Sequence, residues 1–109
     1  LSNVTATNIA SIALTPGVWD IGAICYINQT GAGTAHVVSI STTSATLSGN
    51  IGVDQAQTTG TFTALASTQT VPNFRATLTA NTTYYLVAQS NFSTGTSSGN
   101  GRISATRVA

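Results

Sequence analysis

The stretch Thr82-Thr83-Tyr84-Tyr85-Leu86-Val87-Ala88, TTYYLVA, decides how the rest of the chain is read. Its Tyr and Val content is that of a β-strand. Successive side chains in a strand point to opposite faces, so Tyr84, Leu86 and Ala88 share one face while Tyr85 and Val87 share the other. Both faces are apolar. An antiparallel sheet in a small protein normally turns one apolar face inward and one polar face to water. The second face of this strand therefore needs a cover.

Working outward, the same kind of run recurs. β-prone stretches lie near 9–14 (IASIAL), 18–28 (VWDIGAICYIN), 35–42 (AHVVSIST), 61–67 (TFTALAS), 74–79 (FRATLT), 83–91 (TYYLVAQSN) and 102–108 (RISATRV). Between them stand turn signals: Thr15-Pro16-Gly17, Thr30-Gly31-Ala32-Gly33, Ser48-Gly49-Asn50, Val71-Pro72-Asn73, Ala80-Asn81 and Ser98-Gly99-Asn100-Gly101. No window carries apolar residues at helical spacing over three turns. Residues 43–60 read as a long loop or one irregular strand. Short strands punctuated in this way predict an all-β, antiparallel, jelly-roll-like sandwich of about seven to eight strands in one domain over residues 1–109.

The strand phases supply a core. Trp19, Ile21, Ala23, Cys25 and Ile27 form one continuous face, as do Phe74, Ala76 and Leu78, and Ile103 with Ala105. Two strands have apolar residues on both sides. One is 83–91; the other is 18–28, whose nominally outer face carries Val18, Ile24 and Tyr26. A chain of 109 residues without helices has no third layer to cover them. Exposed patches of that kind mark interfaces. A second copy of the chain is the expected cover, with Tyr84, Tyr85, Leu86, Val87, Ile24 and Tyr26 as the interface residues.

Composition narrows the function. Asp, Glu, Lys and Arg make up 5% of the chain, against about 25% in ordinary soluble proteins. Lys and Glu are absent, and Ser and Thr together account for 33 residues. The net charge is +1, and Arg75, Arg102 and Arg107 are scattered. Neutralising nucleic-acid phosphates needs clustered cations, so no nucleic-acid partner is expected. No apolar run reaches the roughly 18 residues of a membrane helix, and no membrane insertion is expected. The chain starts at Leu1 and contains no Met, which reads as a piece of a longer polypeptide.

Chemistry-bearing residues are sparse. Asp20, Asp54, His36 and Cys25 are the whole set beyond hydroxyls and Tyr, with no Gly-x-Ser-x-Gly elbow and no spacing suited to a metal. Neither catalysis, a cofactor nor a metal is expected, and Cys25 reads as a small buried hydrophobe. The most polar loops, 28–34 and 90–101, offer Asn28, Gln29, Asn91, Phe92 and Asn100 as weak candidates for binding a sugar by hydrogen bonds and ring contact.

Several motifs also carry a resemblance. Leu14-Thr-Pro-Gly17-Val-Trp19-Asp-Ile-Gly-Ala23, then Phe74-Arg-Ala-Thr-Leu-Thr79, Thr82–Ala88, Phe92 and Gly101-Arg-Ile-Ser-Ala-Thr-Arg-Val108 occur in order. That pattern resembles C-terminal domains of bacteriophage tail-fibre proteins, thinning across 43–70. It is more distantly similar to the trimeric jelly roll of the tumour-necrosis-factor and complement type. The resemblance implies a homotrimer at the distal end of a virion tail fibre that recognises host-cell surface polysaccharide. It brings no catalytic residues with it. Two other roles fit the same architecture: a structural or decoration protein of a virion without a ligand, and a carbohydrate-binding module of a secreted bacterial enzyme.

Overall fold

The computed structural model describes residues 1–109. Seven strands run in the order β1 (Thr7–Leu14), β2 (Gly17–Gln29), β3 (Gly33–Ser41), β4 (Gln55–Phe62), β5 (Leu65–Leu78), β6 (Thr82–Phe92) and β7 (Ser97–Arg107). They form two antiparallel sheets, β1-β6-β3-β4 (sheet A) and β5-β2-β7 (sheet B). The pairs β3–β4, β2–β5 and β1–β6 nest inside one another, a folded-back arrangement of the jelly-roll kind. The sandwich measures 46 × 19 × 19 Å.

Between the sheets, Ile21, Ala23, Cys25 and Ile27 of β2 meet Val38 and Ile40 of β3, Leu86 and Ala88 of β6, and Val71 of β5. Trp19, Phe74, Tyr84 and Ile103 pack against this cluster from its margins. Tyr84 stands edge-on to Phe74 at 6.3 Å between ring centres. The predicted inward faces of 18–28, 74–79 and 102–108 are thus the inward faces observed. Cys25 is buried, and burial pushes its thiol above the ordinary value.

Two turn signals behave differently from expectation. Val71-Pro72-Asn73 is a bulge inside β5, opposite Ile21 and Ala23, rather than a turn between two strands. β5 is an edge strand, where a residue without an N–H is tolerated. Ser98–Gly101 lies within β7, and Gly101 is required because a Cβ there would sit 2.2 Å from the Ile24 carbonyl oxygen. The true reversal between β4 and β5 falls at residues 63–64, inside the stretch read as one strand.

On the second face of β6, Val87 is covered from within the chain rather than by a second copy. Asn8, Val87, Ser39 and Gln55 form one row across the outer face of all four strands of sheet A. Residues 44–49, from the long β3–β4 connection, cross that row as a strap. Asn8 donates from its amide to Ser44 Oγ at 2.7 Å and accepts from the Ala45 N–H at 2.8 Å. The Ser48 N–H donates to Ser39 Oγ at 2.9 Å, and the Gly49 N–H to Gln55 Oε1 at 2.9 Å. Val87, between the two anchors, has no exposed surface. Leu86 is equally enclosed in the core. Of the six expected interface residues, Leu86 and Val87 therefore have nothing left to offer a second copy, whereas Tyr84, edge-on to Phe74, and Tyr85 are half-buried.

Candidate functional site

Two surfaces set exposed or half-buried aromatic residues beside uncharged polar side chains. The first is the outer face of sheet B. Along β2, Ile24 and Tyr26 point outward and are 40% and 42% exposed. Ile24 lies between Thr70 and Arg102, Tyr26 between Thr68 and Asn100, and Asn28 between Ala66 and Ser98. All six neighbours are exposed. Nearer the β1–β2 end, Asp20 pairs with Arg75 at 3.0 Å, and the hydrogen bond from that guanidinium holds the Asp20 carboxyl below its ordinary range. Arg102 is the one charge beside Ile24 and Tyr26.

The second surface is a groove of about 370 Å³ at the end of the sandwich where the β2–β3 and β6–β7 turns meet. Its principal walls are Asn3 and Val4, Thr34, Thr61 and Phe62, and Asn91 and Phe92. The turns are locked together: the Ala32 N–H donates to Thr94 Oγ1, and Thr30 and Thr96 hydroxyls lie 3.2 Å apart. Gly33 is obligatory beneath the groove, since a Cβ would meet the Gln29 amide at 2.2 Å and the Asn91 carbonyl oxygen at 2.6 Å. Asn3 accepts from the Phe92 N–H at 2.8 Å, and the Val4 N–H donates to the Ser90 carbonyl at 3.0 Å. Val4 itself sits at φ 53° with 57% of its surface exposed. That conformation is strained for a β-branched residue, at a cost of about 1–3 kcal/mol.

Below the groove runs a buried polar bridge between the sheets. Gln29 Nε2 donates to the Gly31 carbonyl at 2.7 Å, so its Oε1 is the atom that accepts from Ser90 Oγ at 2.9 Å and from His36 Nε2 at 3.1 Å. His36 Nε2 therefore carries the proton, and Nδ1 accepts the Ser67 hydroxyl at 2.7 Å. Phe62 stands edge-on to the imidazole at 5.3 Å. Burial lowers the His36 pKa. Ser67 and His36 have the relation of a nucleophile and a base, but the ring is wholly enclosed and no carboxylate orients it. Asp20 is on the outer face of sheet B, and Asp54 accepts from Ser48 beside the strap.

The sugar-contact candidates consequently divide. Asn91 and Phe92 line the groove; Asn28 and Asn100 lie on the outer face of sheet B with Tyr26. Gln29 does not fit that role, because it is 1% exposed and its amide is spent on the bridge. Alternation along 18–29 predicts its inward phase, which the neighbouring loop signal masked. Asn3, Thr34, Thr61 and Phe62 were not singled out from sequence, since only the fold brings four distant segments to one end. No group of three His, Cys, Asp or Glu side chains is placed to hold a metal ion. No protein-family model, no curated protein and no solved structure matches the chain significantly.

Proposed function

We propose that this chain is a receptor-binding and trimerising tip domain of a phage tail fibre, attaching to a host-cell surface glycan without catalysis. The observation that carries the reading is the outer face of sheet B. Ile24 and Tyr26 stand side by side on the outer face of sheet B, flanked by Thr68, Thr70, Asn100 and Arg102, with the Asp20–Arg75 pair nearer the β1–β2 end. Covering apolar area contributes about 25 cal/mol per Å², and a face with one nearby guanidinium has little charge to desolvate. A second copy is the natural cover, and Ile24 and Tyr26 are the most exposed of the six expected interface residues. The resemblance of residues 14–23, 74–79, 82–88 and 101–108 to fibre-tip domains supports the same role.

The test has two arms. The aspartate pair Ile24→Asp and Tyr26→Asp should leave strand content unchanged, because both side chains point away from the core, and should abolish the oligomer in sedimentation. A glycan array probed with the assembled wild-type protein should give signal on host-type polysaccharide. An assembled but array-silent protein would favour a structural role in the virion.

A further inference from the structure

The groove at the β2–β3 end has a chemistry of its own. We infer that it is a binding site for one or two units of an uncharged saccharide, held between Phe62 and Phe92. This rests on the attachment reading for its biological sense, but the observations are independent of the sheet B face. Every residue lining the groove is uncharged. An acidic sugar or a phosphate would leave its anion without a cationic partner there, whereas a neutral sugar needs only hydroxyl and amide partners. Those partners are present and unspent. Asn3 uses its Oδ1 on the Phe92 N–H, leaving its Nδ2 donors free. Asn91 accepts from Gln89 at 3.1 Å through Oδ1, again leaving Nδ2 free. The hydroxyls of Thr34 and Thr61 make no hydrogen bond within the chain and are exposed at the rim.

The support beneath these groups is rigid. Phe62 rests edge-on against His36, itself fixed by Gln29 and Ser67. Phe92 is held through its backbone by Asn3. Two aromatic residues lining one groove with free amide donors and hydroxyls match a ligand with one apolar face and an equatorial rim of hydroxyls. A volume of about 370 Å³ holds a mono- or disaccharide rather than a long chain. The strained backbone at Val4 sits on the same wall, and strain of this kind gathers at ligand clamps.

The experiment is a two-dimensional amide NMR titration of the wild-type protein. The probes are methyl glycosides of neutral hexoses, 6-deoxyhexoses and N-acetylhexosamines, with sialic acid and a sulfated hexose as charged comparisons. At least one neutral probe should shift the amides of residues 3–4, 32–34, 61–62 and 91–93, and the charged comparisons should shift them less. Asn91→Asp keeps the acceptor for Gln89 and removes the free donor; it should weaken binding about tenfold, equivalent to about 1.4 kcal/mol. Phe92→Ala should weaken it at least as much. Should Phe92→Ala unfold, the Asn91 variant and Thr61→Val carry the test. Shifts confined to Ile24, Tyr26 and Asn100 would overturn the groove while leaving glycan attachment standing. No shift in the groove with any probe would overturn the inference outright. A monomeric protein silent on the glycan array would remove the attachment reading as well.

Discussion

At the scale of single residues, the interior combines an apolar cluster around Ile21 and Leu86 with a polar bridge at His36. Leu86 has no exposed surface and touches the centre of the cluster formed by Ile21, Ile40 and Ala88. Leu86→Ala should destabilise the fold by about 2–5 kcal/mol, combining lost transfer energy with the cavity left behind; urea denaturation measures this. His36 gives a pH prediction with a definite sign. The groups facing its ring are Gln29 of β2, Phe62 of β4, Ser67 of β5 and Ser90 near the end of β6, and none of them carries charge. Protonating the ring would bury an unpaired cation, so its folded pKa lies below the ordinary 6.5. The unfolded chain then takes up the proton first as pH falls. Stability contributed by neutral His36 is complete above pH 6.5 and is lost below it, at up to about 1.4 kcal/mol per pH unit until the folded pKa is reached. His36→Gln should flatten denaturation midpoints measured between pH 6.5 and about 5, a range His alone titrates without perturbation. An unchanged slope would place the titrating group elsewhere.

At the scale of elements, what the sequence makes legible is phase. Alternation in 18–28, 74–79 and 102–108 assigns inner and outer faces correctly, because each strand lies in one sheet with one face on the core. What it hides are features made by long-range closure. The segment 43–60 has no clear alternation because its first part is no strand: residues 44–49 lie across sheet A, held by side chains of Ser39 and Gln55 on the flanking strands and of the sequence-distant Asn8. The Pro72 bulge and the glycines of β7 look like turn signals because local chemistry cannot distinguish a reversal from a kink within a paired strand. The strap also makes a prediction. Asn8→Ala deletes two hydrogen bonds and Ser39→Ala one, each worth about 1 kcal/mol net. Amide hydrogen exchange at Ala45 and Ser48 should accelerate in these variants, with β2 and β6 unaffected. Exchange identical to wild type would mean that the strap is held by something other than these side chains.

At the scale of the whole molecule, the two-sided apolarity read from TTYYLVA is resolved within the chain at Val87, and the exposed large apolar side chains of the strands are Ile24 and Tyr26 of sheet B. The sequence anticipates Ile24 and Tyr26 as members of the surplus, since they fall on the outer phase of β2. It cannot separate them from Leu86 and Val87, because burial by a strap or an opposing sheet is a property of tertiary structure. The groove is less legible still: Asn91 and Phe92 stand out as an amide and an aromatic in a polar stretch, whereas Asn3, Thr34, Thr61 and Phe62 acquire meaning only when four segments converge. The proposed role requires self-association through the outer face of sheet B, and multi-angle light scattering of the purified protein measures it. A single species of about three times the 11.0 kDa chain mass is expected, falling to one chain mass in the Ile24→Asp, Tyr26→Asp variant. A wild-type protein that scatters as a lone 11.0 kDa particle at high concentration would contradict it.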